Sequence, residues 1–271
     1  MPEIPDLEAV RNYLKPRLQD RAITATAAPI PWIVRTGADG LQDLIGHQFV
    51  DILRHGKYLI FNLDDGRVLV INAMLTGRFH WSETADRKPG KLAVVLTLDD
   101  GHELRYSDMR RMGRFYLTDP DHLDVVPQFS TMGPDVLAID EAEFTARIAK
   151  RRGQIKNTLT NQEFVAGIGN AYSDEILWEA GLHHHRKRST MDDDDIHRLF
   201  VAIHTILDRS CETVDAIVQS EGLGKKAEWR EHLSVHRKAG EVCPRCGSEI
   251  KGQTSGGSET NYCVQCQPLF A

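Results

Sequence analysis

The sequence predicts an α+β multidomain protein, and three observations support this prediction. Short runs rich in branched and aromatic residues occupy the first 120 residues, and two Asp-Asp-Gly turns separate some of them, as in antiparallel hairpins. From about Glu141 the spacing of apolar residues becomes helical. Four of the five cysteines lie in the last 29 residues. We therefore expect a β-rich domain, a helical domain and a small cysteine-bearing hairpin.

The bulk composition is that of an ordinary globular protein. The 271 residues are enough for two hydrophobic cores, and 27% of them are charged. No apolar run reaches membrane length and no basic-then-apolar leader is present, so we expect a cytoplasmic protein. The net charge of −6 argues weakly against nucleic acid, but basic residues cluster in 110–114, 147–156 and 225–238.

The first 120 residues are expected to form one domain. Residues 6–18 carry a helical apolar stripe after the possible cap Asp6. Strands are predicted at 49–53, 58–63, 67–71, 92–98, 103–106 and 114–117. Short strands with such turns favour an antiparallel sandwich or barrel.

A proline-containing linker is predicted over 121–140, and a helical domain over 141–240. Its helices are predicted at 141–151, 155–159, 171–180, 193–210 and 211–218. Gly167 and Gly169 predict a tight turn into the third of these helices. The four aspartates at 192–195 are expected to cap the fourth, and the histidine tract 183–185 to be solvated.

The last segment, 241–271, carries a metal-ligand pattern. Its cysteines have the spacing C-x2-C-x16-C-x2-C and are Cys243, Cys246, Cys263 and Cys266. Two such pairs hold one structural Zn²⁺ in a tetrahedron of thiolates. The alternative is two disulfides, which a cytoplasmic chain disfavours. Cys211 is expected to be a buried helix cysteine rather than a fifth ligand.

The N-terminus offers a nucleophile. Removal of Met1 would leave Pro2 with a free secondary amine, which can attack an aldehyde-like carbon and form an iminium. The ordinary pKa of an α-amine is about 8, so a useful fraction is neutral at physiological pH. Glu3 lies beside it and could transfer a proton. The alternative is a poorly ordered terminus without function.

Several segments together resemble the formamidopyrimidine-DNA glycosylase/endonuclease VIII family. The zinc ribbon and the start Met1–Asp6 are similar to the two ends of that family's chains. The run 165–177 looks like its helix–two-turn–helix signature, and 54–59 and 132–135 match further family segments. The matches occur in family order and span nearly the whole chain.

The resemblance implies a fold and an activity. The fold is an N-terminal helix plus β-sandwich, a helix–two-turn–helix domain and a zinc hairpin, with DNA in the cleft between the two halves. The activity is that of a base-excision-repair DNA glycosylase and abasic-site lyase, a monomer that acts on damaged double-stranded DNA at the nucleoid. The damaged nucleotide is flipped out, and the strand is nicked by β- or β,δ-elimination.

The resemblance also implies roles for individual residues. Pro2 would attack C1′, Glu3 would protonate the sugar ring oxygen, and Asp6 would assist proton transfer. Lys57 and Asn170 would hold the flanking phosphates. The remaining candidate DNA contacts are Met74 in the void left by the base, Arg110 or Arg111 at the orphaned base, Met112 as the wedge, Lys156 and Ser258.

Taken alone, four of these residues have simpler interpretations. Lys57 could be a solvated strand lysine, Asn170 a helix N-cap, Met74 a core methionine on a strand and Arg110 half of a surface ion pair.

Three positions depart from the family pattern. Asp6 stands where glutamate is usual, and Met112 stands where the wedge is often aromatic. Ser258 replaces a phosphate-gripping arginine, so a bidentate charged contact is missing. These departures leave open a non-catalytic damaged-DNA binder, or a generic zinc-ribbon adaptor. Ile4 and Met74 favour the formamidopyrimidine branch, and the loop 219–229 would cover the extruded base.

Overall fold

The computed structural model describes residues 1–255 and 257–269. The chain divides into two compact units, Met1–Thr131 with Cys211–Trp229, and Met132–Ser210 with Arg230–Ala271. Each unit combines two segments of the chain, whereas the domains predicted from the sequence are consecutive. The reason is that one long helix contributes its first part to one unit and its last part to the other.

The first unit contains a helix and two antiparallel sheets. Helix α1 spans Ile4–Leu18, and the strands are β1 (Ile23–Ala27), β2 (Phe49–His55), β3 (Tyr58–Leu63), β4 (Val68–Asn72), β5 (Gly77–Glu83), β6 (Leu92–Leu98), β7 (His102–Asp108) and β8 (Arg114–Thr118). One sheet has the order β1-β6-β7-β5 and the other β2-β3-β4-β8. The predicted β-sandwich is therefore confirmed, with β1 and β5 as additional strands.

The core of the first unit lies between these sheets and under α1. Every residue of β4 is buried, and Leu14 and Leu18 of α1 have no exposed surface. Val218 and Trp229, from the second segment, belong to the same core cluster. Full burial of such a side chain contributes about 1.5–3 kcal/mol, so this segment is an integral part of the unit.

The second unit is helical and ends in a hairpin. Its elements are α2 (Glu141–Ile148), α3 (Ile155–Thr160), α4 (Asn170–Ala180), α5 (Asp193–Glu221, shared with the first unit), β9 (Ile250–Ser255) and β10 (Ser258–Cys263). Strands β9 and β10 pair antiparallel, with Cys263 opposite Ile250. The predicted helical domain and zinc hairpin are thus both present.

Helix α5 corrects one prediction. The separate helices expected at 193–210 and 211–218 are a single helix of 29 residues, because no proline or glycine interrupts the chain there. Asp192 caps it, since its Oδ1 accepts the Asp195 amide at 2.8 Å. Cys211 is half-buried on this helix rather than fully buried. Within the described ranges, no helix is both long and apolar enough to cross a membrane.

Candidate active site

The N-terminal residues are held in place at the start of α1. Pro2 and Glu3 are buried, and Asp6 has no exposed surface. One carboxylate oxygen of Asp6 accepts the Glu3 amide at 2.8 Å, and the other accepts the Trp229 amide at 3.0 Å. Although aspartate is one methylene shorter than the glutamate usual at this position, its carboxylate reaches two backbone donors and fixes the backbone that carries Glu3. The terminus is not a frayed segment.

A small cleft opens beside this terminus. It is lined by Pro2, Asp6, Arg78, Lys226 and Trp229, among others. Arg78 also donates to the Lys225 carbonyl at 3.2 Å, which fastens the segment before Trp229 to β5. The Met1 ammonium lies 3.1 Å from the Glu228 carboxylate. With Met1 attached, the nitrogen of Pro2 is an amide and has no nucleophilic lone pair.

Lys57 lies in the two-residue turn that joins β2 to β3. Its neighbour Gly56 has φ +54°, which a glycine adopts at little cost, and Lys57 is half-buried. Arg54 donates to Glu8 at 2.5 Å and so ties β2 to α1. Lys57 therefore lies at the tip of the β2–β3 hairpin, which the Arg54–Glu8 pair attaches to α1, rather than within a strand.

Met74 lies in the turn between β4 and β5, not in a strand. Its φ of +52° is unusual for a residue with a long side chain and costs about 1–3 kcal/mol. The Asn72 side chain holds the turn by accepting the Met74 amide at 2.9 Å. Met74 is half-buried, so the interpretation as a core methionine on a strand is wrong. Such a strained backbone is a reason to expect a function at this position.

The segment 108–113 is organised around one buried carboxylate. Asp108 has no exposed surface and accepts the amides of Arg110, Met112 and Gly113 at 2.7–3.1 Å. It also accepts the Thr76 hydroxyl at 2.5 Å, and the same hydroxyl accepts the Arg110 amide at 3.0 Å. The turn that carries Met74 and the loop that carries Arg110, Arg111 and Met112 are therefore fastened together.

Tyr106 also holds together the turn that carries Met74 and the loop 108–113. Its hydroxyl donates to the Ala73 carbonyl at 3.1 Å and lies between Gly77 and Gly113. A Cβ atom at either glycine would approach that oxygen to 2.0 or 2.2 Å, so neither position accepts a larger residue without a shift. Burial raises the pKa of Tyr106, which keeps its hydroxyl a donor. Sequence reasoning missed Thr76, Tyr106 and Asp108, because nothing in a single sequence distinguishes them from ordinary strand residues.

Asn170 begins α4 in the second unit. The helix N-cap is Gly169, after Gly167 with φ +110°, so the interpretation of Asn170 as the N-cap is wrong. Its side-chain amide donates to the Glu259 carbonyl of β10 at 2.8 Å. Asn170 is half-buried and therefore fixed against the zinc hairpin.

Lys156 lies under the hairpin. It is 7% exposed, and its Nζ donates to Asp174 at 2.5 Å and to the Thr260 hydroxyl at 2.7 Å. The second oxygen of Asp174 contacts His236 Nδ1 at 2.8 Å and accepts the Asn261 amide at 3.2 Å. These bonds connect α3 and α4 to β10. The amine is thus engaged inside the unit and is not an exposed cation.

The four hairpin cysteines form a zinc site. Their sulfur atoms all lie within 4.8 Å of one another, with Cys246 and Cys263 3.4 Å apart and Cys243 and Cys266 3.9 Å apart. Thiolates at about 2.3 Å from Zn²⁺ in a tetrahedron are separated by roughly 3.8 Å, so the four residues fit the ion. The backbone amide of Ser248 lowers the pKa of Cys246 to about 6, which favours the thiolate. Zinc bound there is structural and holds the hairpin.

The tip of the hairpin carries little positive charge. Ser258 is exposed as the first residue of β10, opposite Ser255. Lys251 pairs with Glu249 at 2.8 Å, and Glu259 is exposed. Gly256 lies outside the described residues. The Ser258 position thus offers a hydroxyl where the family pattern has a guanidinium.

The histidine tract is not solvated, which corrects the prediction. His183 and His184 are buried, and their rings stack at 4.3 Å between centroids. The ring of His184 also packs on Tyr262 of β10 at 4.5 Å. Burial lowers the pKa of His184 to about 4, so the ring is neutral at physiological pH. The tract turns inward because it follows α4 in a turn rather than continuing the helix.

Comparison with known proteins finds the same three parts in the same order. The models for the formamidopyrimidine-DNA glycosylase N-terminal domain, its H2TH domain and a zinc finger found in FPG and IleRS match residues 1–115, 132–221 and 240–269. A formamidopyrimidine-DNA glycosylase of Symbiobacterium thermophilum is 36% identical over 99% of this chain and 90% of its own. One of Pelotomaculum thermopropionicum is 32% identical over 99% and 100%.

Solved structures agree with this comparison. A Lactococcus lactis enzyme in complex with DNA containing an abasic site has a TM-score of 0.90 and 29% identity, over 98% of this chain and 100% of its own. These matches show that the protein is a base-excision-repair DNA glycosylase with abasic-site lyase activity. Within that class, the chain belongs to the formamidopyrimidine-DNA glycosylase family.

Proposed function

We propose that the protein excises a damaged base from double-stranded DNA and nicks the strand through a covalent intermediate on the amine of Pro2, after removal of Met1. The observation that carries this proposal is the fixed N-terminus. Pro2 and Glu3 are buried side by side, and Asp6 anchors the Glu3 amide at 2.8 Å.

The chemistry follows from an amine and a carboxyl group placed together. The lone pair of the Pro2 nitrogen attacks C1′ of the flipped nucleotide, and the glycosidic bond breaks with its electron pair leaving on the base, which takes up a proton. The attached nitrogen gives up its N–H proton to solvent, Glu3 protonates the ring oxygen as the bond from C1′ to that oxygen breaks, and the nitrogen lone pair forms the C1′=N⁺ iminium. The iminium acidifies C2′–H, and loss of that proton expels the 3′ phosphate by β-elimination.

Asp6 acts through Glu3 in this proposal. Both of its oxygens accept backbone amides, so its part is to position the catalytic backbone rather than to relay a proton. An aspartate side chain is long enough for this role, because its two oxygens reach the Glu3 and Trp229 amides at 2.8 and 3.0 Å.

The remaining residues would position the DNA. Lys57 and Asn170 would hold phosphates beside the flipped nucleotide, and Met74 would fill the void that the base leaves. Arg110 would face the orphaned base and Met112 would act as the wedge. Lys156 would stabilise the zinc hairpin through its hydrogen bond to the Thr260 hydroxyl. Known structures of relatives contain abasic-site DNA, a FAPY-dG lesion or carbocyclic 8-oxo-G. We propose a lesion of this kind for the present enzyme, which would act at the nucleoid.

Borohydride trapping on abasic-site DNA tests the proposal. The wild-type protein is first checked by mass spectrometry for loss of Met1, and it should then form a covalent adduct under borohydride. Pro2→Gly exchanges the secondary amine for a primary one that forms no permanently charged iminium, and Glu3→Gln removes the acid. A terminal glycine amine still forms an imine that borohydride reduces, so we expect both variants to trap and nick more slowly than the wild type, Glu3→Gln by about 10²-fold or more.

A matched control is available in the same segment. Pro5→Ala changes a proline in the first turn of α1 that carries no free amine, and it should form the adduct as the wild type does. If the processed wild-type protein binds abasic-site DNA tightly but gives no adduct, the proposal is wrong and the protein is a damaged-DNA binder. If Pro2→Gly and Glu3→Gln trap as fast as the wild type, another amine of the chain is the nucleophile and the assignment of Pro2 is wrong.

A further inference from the structure

We propose that Trp32 and Arg111 form a stacking surface for DNA next to the Arg110–Met112 loop, a surface that we call the Trp32 platform. The inference rests on the proposed function, because it takes the same DNA duplex as its partner. Trp32 is 53% exposed, and the Arg111 guanidinium lies 5.8 Å from its ring centroid. An exposed indole beside a cation is a surface that bases and phosphates can bind together.

The indole is held on a fixed backbone. Trp32 lies in a short 3₁₀ turn, Pro31–Ile33, and the next two residues, Ile33 and Val34, are buried. Val34 forms a parallel bridge with Phe115 of β8, and the Arg35 amide donates to the Phe115 carbonyl at 2.8 Å. The turn is thus fastened beside the first residues of β8, directly after the loop that carries Arg111. The large apolar side chain is exposed although the two residues that follow it are buried.

The arginines of the two segments that carry Trp32 and Arg111 are available for a polyanion. Arg35, Arg110 and Arg111 are all exposed, and within residues 1–255 and 257–269 none of the three forms an ion pair. The backbone amide of Arg111 donates a hydrogen bond to the Asp108 carbonyl at 3.2 Å, and this bond holds Arg111 at φ +54°. A backbone in this left-handed region is uncommon for arginine, and the guanidinium that it carries lies 5.8 Å from the Trp32 ring centroid. A guanidinium group without an ion pair beside an aromatic ring, as Arg111 is beside Trp32, fits the phosphates and bases of DNA better than a neutral protein surface.

The platform also accounts for the methionine at position 112. A methionine wedge enters a base step but offers no ring for a base to stack on. Trp32 supplies a ring next to the same loop, so we assign it the stacking contact on the strand that carries the orphaned base. Stacking of a base on an aromatic side chain contributes enough affinity that its loss by alanine substitution weakens binding about fivefold or more.

Tryptophan fluorescence during titration with DNA tests this inference directly. The four tryptophans of the chain are all described, and Trp32 alone is exposed, since Trp81 is half-buried and Trp178 and Trp229 are buried. The ligand is a duplex that contains a tetrahydrofuran abasic analogue, which binds but cannot form an iminium. The duplex should quench the wild-type fluorescence, and Trp32→Phe should lose most of this quenching. The control Trp81→Phe, whose ring stacks on His102 at 4.9 Å, should keep it.

Affinity measurements distinguish stacking from charge. Trp32→Ala should bind about fivefold or more weakly with an unchanged salt slope, while Trp32→Phe stays within about twofold of the wild type. Arg111→Ala should reduce the salt slope by about one. The inference is overturned if Trp32→Phe retains the quenching or if Trp32→Ala binds as tightly as the wild type.

The trapping experiment separates this inference from the proposed function. At saturating abasic-site DNA, Trp32→Ala should still form the borohydride adduct, because the platform lies outside the reacting atoms. A wild-type protein that forms no adduct overturns the proposed function, whereas unchanged affinity of Trp32→Ala in a protein that does form the adduct overturns only the platform.

Discussion

The loop 108–113 and the tip of the zinc hairpin are both expected to face DNA, yet they are built in opposite ways. In the loop, Asp108 satisfies three backbone amides and leaves Arg110 and Arg111 exposed without ion pairs among the described residues. In the hairpin, Lys251 is paired with Glu249, and Ser258 stands in place of a cation. Of these two regions, the loop therefore offers more unpaired positive charge to a phosphate backbone, and we propose that the hairpin contributes shape and support instead.

Loss of zinc should have the largest effect, which should begin at the hairpin. Cys263→Ser removes one of four ligands, and structural zinc in small modules contributes about 10–16 kcal/mol to folding of the site. We expect zinc content to fall toward zero and binding to an abasic-site duplex to weaken strongly, as measured by metal analysis and titration. Cys211→Ser, at the half-buried cysteine of α5, should leave both values unchanged. One equivalent of zinc together with full affinity in Cys263→Ser would contradict the assigned site.

Removal of the Asp108 carboxylate should have the next largest effect, on the loop. Asp108→Ala leaves the Met112 and Gly113 amides and the Thr76 hydroxyl without the Asp108 acceptor, while the Arg110 amide keeps the Thr76 hydroxyl. Each unsatisfied buried donor costs about 1–3 kcal/mol, and partial access of water reduces the sum, so we expect a loss of about 3 kcal/mol in unfolding free energy. Urea titration measures it. Asp119→Ala, at an exposed acid, should change the midpoint little, and equal midpoints for the two variants would show that Asp108 does not organise the loop.

An arginine at position 258 should strengthen the weaker region. Ser258→Arg adds a bidentate, charge-assisted phosphate contact, which corresponds to about tenfold tighter binding of a lesion-containing duplex or faster turnover. The matched control Ser258→Gln adds length without charge and should gain little. If Ser258→Arg changes neither affinity nor turnover, the missing cation does not limit the hairpin.

The smallest predicted effect concerns the acid stability of the first unit. Burial lowers the pKa of His80 to about 4, from an ordinary value of about 6.5, and His80 Nε2 lies 2.7 Å from the Ser107 hydroxyl. The folded protein thus disfavours the protonated ring, while the unfolded chain takes up the proton below about pH 6.5. Stability from His80 is complete above pH 6.5 and is lost as the pH falls toward 4.

Because the ring is partly solvated, we expect a loss of about 1 kcal/mol between pH 7 and 5. His80→Gln keeps a hydrogen-bonding side chain without a titrating group. Its urea midpoint should therefore fall less than that of the wild type over the same pH range. An identical pH dependence in the two proteins would show that His80 titrates normally.

The two regions also differ in how far the sequence predicts them. The zinc ligands follow from spacing alone, because each C-x2-C pair must bend into one tight turn. The supports of the loop do not, because Asp108 and Thr76 meet only when β5 and β7 pair, with Gly77 opposite Asp108. The left-handed φ of Met74 has no local signal either, since glycine is the usual residue for that conformation.

Burial explains the other differences. Lys156 belongs to the basic run 147–156 and is a candidate DNA contact from the sequence, yet its amine donates to Asp174 inside the unit. The histidine tract resembles a solvated surface in sequence, and only the packing of Tyr262 from β10 buries it. The burial of Lys156 depends on a carboxylate 18 residues away, and the burial of the histidine tract depends on a strand some 75 residues away. A local sequence pattern contains neither partner.

The central claim is that the nucleophile is the amine of Pro2, and mass analysis of a trapped complex tests it most directly. The wild-type protein is incubated with abasic-site DNA and borohydride, digested, and the modified peptide is sequenced by mass spectrometry. We predict that the DNA remnant is attached to the nitrogen of Pro2 in a chain that has lost Met1. Attachment to a lysine, for example Lys57 or Lys226, or an adduct on a chain that retains Met1, would contradict the account.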